Sequence, residues 1–180
     1  SRIRVFEIDR PGPQAWKRQR LIELSYGIPE WLRLVPVDFE SNEPWRERLA
    51  DAGFDASKPA VVASTGVSMY LTKDANAATL GEIAKLASGT TFVMSFLLPR
   101  ELTEPAVRLG MEQAEKGAKA SGTPFVSFFT PDEMMAMARS AGFREVRHVS
   151  AADLSEMYFT GRPDGLRPPF NSEELLVATT

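Results

Sequence analysis

The chain has 180 residues, a length typical of one domain with a sizeable hydrophobic core. Its formal net charge of −3 and dispersed basic residues give no positive patch for nucleic acid or an anionic membrane. The absence of cysteine excludes disulfides, thiolate metal sites and a cysteine nucleophile, and no metal site is predicted. No apolar run approaches membrane-spanning length and no signal-peptide pattern is seen, so a cytoplasmic protein is expected.

The first predicted strand, residues 4–9, ends in an acidic residue. A Pro/Gly cluster at 10–13 follows it and precedes a helix that runs to about Ser25. Asp9 is therefore expected at the carboxyl end of a strand, at the edge where open α/β sheets bind ligands. A carboxylate there can accept hydrogen bonds from the two vicinal hydroxyls of a ribose. A solvated loop carboxylate is the alternative, and this segment alone favours that alternative.

The next predicted strands continue the same pattern. Residues 32–37 form a strand that ends in Asp38, and Pro36 within it favours an edge position. The apolar run 59–64 predicts a central parallel strand covered on both faces, and residues 91–98 predict another buried strand. Strands alternate with helices through short connections. This order predicts an α/β fold with a doubly wound, mostly parallel sheet.

The alternation is interrupted between residues 99 and 130. A helix rich in Ala, Glu and Lys is predicted near 105–120, and the aromatic stretch 125–129 follows it. We predict that 99–130 is an insertion that covers a substrate pocket within a single domain of residues 1–180.

The C-terminal part returns to regular elements. A capping box at Thr130 predicts the start of a helix that ends at Gly142. Residues 144–149 alternate as a strand, 154–159 predict a helix, and 174–179 predict a last strand.

Three motifs in order carry a family resemblance. They are Phe6-Glu7-Ile8-Asp9-x-Pro11 with Lys17 downstream, Val35-Pro36-Val37-Asp38-Phe39, and Gly66-Val67-Ser68-Met69-Tyr70-Leu71. Together they resemble the leucine carboxyl methyltransferase-like family, and most closely its bacterial branch of S-adenosylmethionine-dependent methyltransferases, which is abundant in actinomycetes. The resemblance covers essentially the whole chain. It implies the seven-strand methyltransferase fold, whose last strand runs antiparallel between its neighbours, and S-adenosyl-L-methionine as the cofactor.

The resemblance also implies roles for individual residues. Asp9 matches the acid that holds the ribose hydroxyls, Asp38 the acid that accepts from the adenine amino group, and Phe39 the neighbour that flanks the base. Thr65 stands where leucine carboxyl methyltransferases have a glutamate at the tip of the fourth strand. This is a departure, because a hydroxyl group cannot supply the same charge near the sulfonium or amino-acid end of the cofactor.

A second departure is an absence. The glycine-rich loop of the family and its N-terminal basic residues are not found in this sequence. We therefore expect an N-terminally truncated member whose first strand, between strands 4–9 and 59–64, is missing. The two flanking strands must then pair directly, borrow a strand from another copy or leave a gap. Homo-oligomerisation or strand exchange is an open expectation, and the truncated piece need not be active.

The expected reaction is methyl transfer to a small molecule or a carboxylate, most simply as O-methylation. The cofactor carries the reactivity, so the protein mainly supplies proximity and orientation. A carboxylate acceptor needs no general base. Tyr70 is a weak catalytic candidate, and a core tyrosine is the favoured alternative. For His148, the only histidine, a structural or surface role is favoured over a catalytic base.

Two other functions stay open. A strand-tip acid also suits a nicotinamide-dependent oxidoreductase, although the spacing of Tyr70 and Lys73 differs by one residue from the short-chain dehydrogenase pair. A non-catalytic interaction fragment is the second alternative. Several aromatic residues suggest an apolar or aromatic acceptor, with ordinary core packing weighed equally. They are Phe125, Phe128, Phe129, Tyr158, Phe159 and Phe170.

Overall fold

The computed structural model describes residues 3–41, 44–168 and 171–180. Within these ranges the chain forms six strands and six α-helices. It divides into two compact units, Ser1–Ala56 and Ser57–Thr180. Whether both units belong to one domain of residues 1–180 stays a prediction. None of the described helices combines the length and the apolar character that crossing a membrane requires.

The N-terminal unit is a parallel strand pair with two helices. Its register runs from Val5 opposite Leu32 to Asp9 opposite Pro36, so both strands end at the same edge. Pro36 lies in a strand whose described neighbour is on one side only, as its missing N–H donor favours. The elements are β1 (Val5–Asp9), α1 (Pro11–Glu23), β2 (Leu32–Pro36) and α2 (Trp45–Asp51).

The C-terminal unit is a four-stranded mixed sheet with four helices. Its strand order is β3-β4-β6-β5, with β3 parallel to β4. The last strand, β6, runs antiparallel to both of its neighbours, as the family resemblance implies. The elements are β3 (Val61–Ser64), α3 (Lys73–Ala84), β4 (Thr91–Leu97), α4 (Pro105–Ala120), α5 (Pro131–Ala141), β5 (Glu145–Val149), α6 (Ala151–Phe159) and β6 (Glu173–Thr179).

One face of this sheet carries a large part of the core of the C-terminal unit. Phe92, Met94 and Phe96 alternate along β4 and are almost completely buried. Phe143, which follows α5, stacks on Phe92 with ring centroids 6.0 Å apart. Helices α3 and α5 also contact each other. This face is therefore packed like a normal interior, and it fixes the carboxyl ends of β3 and β4.

The opposite face of β3 is open, which corrects one prediction. Residues 59–64 predicted a central strand covered on both faces, but β4 is the only strand neighbour of β3 in the described part of the chain. Val61 is 83% exposed. A run of β-branched residues indicates that a segment forms a strand. It does not indicate whether other strands or helices cover that strand, so burial cannot be predicted from the run alone.

Of the three alternatives for the strands that flank the missing first strand, direct pairing is not observed among the residues that the structure describes. The described strands form a pair, β1 with β2, and a separate group of four, so β1 and β3 are not paired with each other. The α/β class is as predicted. The seven-strand arrangement with a missing first strand stays a prediction.

Helix α5 allows a first test of the local structure. The Thr130 hydroxyl accepts a hydrogen bond from the peptide N–H of Glu133 at 3.1 Å, and the Glu133 carboxylate accepts from the N–H of Thr130 at 2.8 Å. We expect Thr130→Ala to lower the free energy of unfolding by about 1 kcal/mol, because N-cap hydroxyls typically contribute that much. Urea denaturation measures this change, and Thr130→Ser should retain most of the stability. An unchanged midpoint in Thr130→Ala would contradict the assigned cap.

The same cap has a pH dependence. The Thr130 N–H lowers the pKa of Glu133 below its ordinary value, with Lys73 acting in the same direction. The contribution of Glu133 to stability is therefore present above the ordinary glutamate pKa. It is lost as the pH falls through the lowered value.

Candidate functional site

Asp9 and Asp38 lie at the ends of neighbouring parallel strands. Asp9 is the last residue of β1, and Asp38 follows β2 by two residues. The N–H of Val37 donates to the carbonyl oxygen of Asp9 at 2.9 Å, which continues the strand pairing up to the acids. The structure thus places both predicted acids at one edge of the same two-stranded sheet.

Each acid keeps an oxygen available for a ligand. Asp9 Oδ1 accepts from the backbone N–H of Arg10 at 2.7 Å, and Asp38 Oδ1 accepts from the N–H of Glu40 at 3.1 Å. Asp9 Oδ2 has no hydrogen-bond partner among the described residues. Asp38 Oδ2 lies 3.7 Å from Arg10 Nε, an ion-pair distance that is too long for a hydrogen bond. The pair can therefore accept from donors such as hydroxyl and amino groups.

Phe39 is held beside Asp38 by aromatic packing. Its ring contacts Trp45 edge to face, with centroids 6.0 Å apart and an interplanar angle of 67°. The side chain is half-buried, so part of the ring remains accessible. An aromatic ring next to a strand-tip acid is suited to contact a planar base.

Two residues of helix α1, Lys17 and Gln14, contact Glu7 of β1, the strand that ends in Asp9. The Lys17 ammonium forms an ion pair with Glu7, and Gln14 Nε2 donates to the Glu7 carbonyl at 2.9 Å. Gln14 is almost fully buried, with 4% exposure. The motif lysine therefore supports the strand–helix connection that carries Asp9, and Gln14 is a supporting residue that sequence reasoning missed.

In the C-terminal unit, Thr65 begins the loop after β3. Its side chain is exposed at the carboxyl end of the strand. The next residue, Gly66, has a positive φ of 69°. Its N–H donates to Ser95 Oγ at 2.8 Å, and Ser68 Oγ donates to the Ser95 carbonyl at the same distance. These hydrogen bonds hold the loop against β4, and Thr65 is exposed to solvent.

Buried Asn76 secures the other end of this loop. Its Nδ2 group lies within hydrogen-bond distance of the carbonyl oxygens of Ser68, Leu71 and Thr72, at 3.0, 3.2 and 3.0 Å. The residue is completely buried. No sequence pattern singled it out, since one asparagine near a helix start is ordinary.

We expect Asn76→Ala to lower the free energy of unfolding by about 2 kcal/mol, because it removes donors to buried carbonyls and leaves a small cavity. Asn171 is a matched control: it is also tied to backbone, accepting from Glu104 N–H and donating to Leu102, but at the surface. Asn171→Ala should cost less than 1 kcal/mol. Denaturant titration compares the two variants, and equal losses would contradict the role given to Asn76.

Tyr70 is not the core tyrosine that was favoured. It is 43% exposed and contacts Phe125 edge to face, with ring centroids 5.3 Å apart. Lys73 is engaged elsewhere, at 3.5 Å from Glu133 Oε1 and 5.0 Å from the centroid of the Phe129 ring. These contacts do not support the dehydrogenase-like use of Tyr70 and Lys73.

His148 contacts a buried carboxylate that the sequence analysis did not identify. His148 Nε2 lies 2.6 Å from Glu174 Oε2, and the Glu174 side chain is 7% exposed. The antiparallel register places Glu174 opposite Phe96, on the packed face of the sheet. Residues 175–178 are all apolar, so the sequence has no alternation that could have revealed this inward position. The pair joins two strands, in line with the structural role that was favoured.

The aromatic residues proposed for the acceptor pocket have different environments. Phe129 is fully buried and belongs to the core, whereas Phe125 and Phe128 are half-buried. Tyr158 is 67% exposed, and the Phe159 ring lies 5.9 Å from the Arg162 guanidinium carbon. Phe170 lies outside the described residues.

Comparison with known sequences points to one family. Residues 1–84 match the model of the leucine carboxyl methyltransferase family. The chain is 30% identical over 165 residues to YktD of Bacillus subtilis, whose name is "putative S-adenosyl-L-methionine-dependent methyltransferase". The match covers 91% of this chain and 54% of YktD, so the chain spans about half the length of this curated relative.

Solved structures show the same fold. A DUF574 family protein from Streptomyces avermitilis superimposes with a TM-score of 0.59 at 15% identity, covering 98% of this chain and 65% of that one. PigF, solved with SAH, superimposes with a TM-score of 0.60 at 15% identity, covering 98% and 43%. At these identities the likeness shows a methyltransferase-like α/β fold. Residues 1–84 thus carry a likeness to the leucine carboxyl methyltransferase family.

Proposed function

We propose that the full-length protein is an S-adenosylmethionine-dependent methyltransferase that binds the adenosine part of its cofactor at Asp9 and Asp38. One observation carries the proposal: two carboxylates lie at the carboxyl ends of paired parallel strands, each with an oxygen available. This is the edge where open α/β folds bind nucleotides. The match of residues 1–84 to the family and the name of the relative YktD support the choice of cofactor.

In this proposal the two acids have different tasks. Asp9 accepts hydrogen bonds from the vicinal ribose hydroxyls, and each charge-assisted bond contributes about 1.5–3 kcal/mol. Asp38 accepts from the adenine amino group, and the Phe39 ring flanks the base. Arg10, whose side chain is 63% exposed, can move away from Asp38 at low cost because the ion pair is long and solvated.

The C-terminal unit is proposed to contribute the loop after β3. S-adenosylmethionine supplies an electrophilic methyl group when bound, so the protein needs mainly to orient the acceptor. Thr65 is the proposed cofactor contact at the tip of β3, on the basis of the family resemblance. Tyr70 is the proposed polar side chain for the acceptor, because it is exposed and fixed by Phe125.

The acceptor is proposed to be a small molecule or a carboxylate that is methylated on oxygen. A carboxylate is ionised at neutral pH and needs no general base. Residues 99–130 are proposed to cover the acceptor. Helix α4 of this segment has no buried residue in the chain as described, which suits a covering element that is completed by a ligand or by further residues.

We also propose that the seven-strand sheet is completed by residues outside this chain. The relative YktD is nearly twice as long as the matched region, and β1 and β3 each have one strand neighbour in the described ranges. An unpaired strand edge favours addition of another strand. A strand borrowed from a second copy is the alternative, and sedimentation analysis of this chain separates a monomer from a strand-exchanged dimer.

Isothermal titration tests the proposed function. S-adenosylmethionine, S-adenosylhomocysteine and NADH are titrated into this chain and into the full-length protein. We expect the full-length protein to bind the first two ligands and not NADH. Binding of NADH alone would contradict the methyltransferase proposal in favour of an oxidoreductase. No binding of any ligand to either protein would favour an interaction module.

A further inference from the structure

Helix α4 directs charged residues toward the protein. Glu112 and Glu115 lie on its partly buried side, whereas Leu109 is 66% exposed on the outer side. Val107, Met111 and Ala118 lie on the same partly buried side, as expected for an amphipathic surface helix. The partly buried side of α4 therefore combines apolar residues with two carboxylates.

These charges line a cavity. A space of about 420 Å³ lies between the second half of α4 and the segments that carry Arg100, Pro124 and Phe125. This volume is within the range of small-molecule sites, which begins at roughly 300 Å³. The cavity is open to solvent on one side, so a ligand can enter without rearrangement of the core.

The cavity has an excess of positive charge. Arg100 forms an ion pair with Glu112, so these two charges largely cancel. Glu115 remains with two cations, Lys116 and Lys119, and none of these three has an ion pair among the described residues. The lining thus carries one net positive charge. A ligand with a single negative charge would balance it.

The inner wall is aromatic and adjoins the loop after β3. Phe125 is half-buried, and its ring contacts Tyr70 edge to face at 5.3 Å. The neighbouring N–H of Val126 donates to the Met69 carbonyl at 2.7 Å, which fixes this wall to the loop. An aromatic ligand could stack here while its charged group reaches the lysines.

We propose that this cavity binds the methyl acceptor and that the acceptor is an aromatic monocarboxylate. The proposal rests on the proposed methyltransferase function, because it uses the position of the cavity beside Tyr70 and the loop after β3. Lys116 and Lys119 attract the carboxylate, and Phe125 with Tyr70 contacts the ring. Glu115 disfavours a second negative charge, which selects monoanions over dianions.

The test uses the full-length protein saturated with S-adenosylhomocysteine. Four aromatic monocarboxylates are titrated by calorimetry: benzoate, phenylacetate, 4-hydroxybenzoate and indole-3-acetate. Their neutral amides and cyclohexanecarboxylate serve as comparison ligands. We expect at least one aromatic carboxylate to bind about tenfold more tightly than its amide and than the non-aromatic acid. Failure of all four to bind, or equal binding of the amides, would overturn the proposal.

Variants locate the site. The double variant Lys116→Ala, Lys119→Ala should weaken binding of the carboxylate about tenfold and leave binding of its amide unchanged, whereas arginine at both positions should restore it. Phe125→Leu should weaken both aromatic ligands. Lys85→Ala is a control, because Lys85 is an exposed lysine that directly follows α3 and pairs with Glu82 outside the cavity. An equal effect of Lys85→Ala would contradict the assignment to this cavity.

The outcomes separate the two proposals. Binding of S-adenosylhomocysteine without any aromatic carboxylate overturns only the acceptor assignment. Loss of S-adenosylhomocysteine binding contradicts the proposed function. In that case a carboxylate that still binds the cavity would not be a methyl acceptor, and the acceptor proposal fails as well.

Discussion

Asp9→Asn and Asp38→Asn should each weaken binding of S-adenosylhomocysteine to the full-length protein about thirtyfold. Asparagine retains the Oδ1 acceptor for the backbone N–H of Arg10 or Glu40, so the local turns are preserved. The second oxygen becomes an N–H donor, which faces the donating groups of the ribose or adenine. Loss of a charge-assisted hydrogen bond costs about 2 kcal/mol, which corresponds to this factor in Kd.

Calorimetric titration measures both variants against Asp51→Asn. Asp51 is an exposed carboxylate at the end of α2 in the same unit, and no described contact involves its side chain. It should bind S-adenosylhomocysteine like the unmodified protein. If Asp9→Asn and Asp38→Asn also bind normally while their circular dichroism is unchanged, the acids do not contact the cofactor.

His148→Leu should lower the free energy of unfolding by about 3 kcal/mol. Glu174 is buried, and its carboxyl oxygen Oε2 lies 2.6 Å from the imidazole Nε2 of His148. Removal of that partner leaves a buried carboxylate without compensation, which is among the more costly single changes. Guanidinium denaturation at neutral pH measures the loss.

Two further variants define the cause. Glu174→Leu in the His148→Leu background should recover more than half of the lost stability, because apolar replacement of both partners leaves no buried polar group without a hydrogen bond. Arg147→Leu is the control, since Arg147 is exposed on the same strand. It should change the stability by less than 1 kcal/mol. A His148→Leu variant as stable as Arg147→Leu would show that the pair contributes little.

Local sequence signals predicted the elements that carry the acids. The Pro/Gly cluster after Asp9 ends β1, and the proline at residue 11 begins α1, since its fixed φ suits a first helical turn. The capping box at Thr130 likewise predicts the start of α5. The start of α6 was placed three residues late. Ser150 and Asp153 form a second capping box that moves it to Ala151.

Properties that depend on distant residues could not be predicted in this way. The exposure of Val61 depends on which elements cover β3, and no local pattern contains that information. The contact between His148 and Glu174 needs the antiparallel register of β5 and β6. The support of the loop after β3 by Asn76 depends on a backbone path that periodicity does not reveal.

The position of Asp9 and Asp38 depends both on local sequence signals and on the pairing of their strands. The sequence placed Asp9 and Asp38 at the ends of two strands, but parallel pairing was needed to bring them to one edge. The turns occupy Oδ1 of each residue, which leaves Asp9 Oδ2 without a hydrogen bond and Asp38 Oδ2 in a long ion pair with Arg10. The chemical role rests on the family resemblance and stays a proposal.

The most direct measurement is a crystal structure of the full-length protein with S-adenosylhomocysteine. Our account predicts electron density for the nucleoside beside β1 and β2, with the ribose hydroxyls on Asp9 and the adenine amino group on Asp38. A nucleoside bound elsewhere, with both carboxylates facing solvent, would contradict the account.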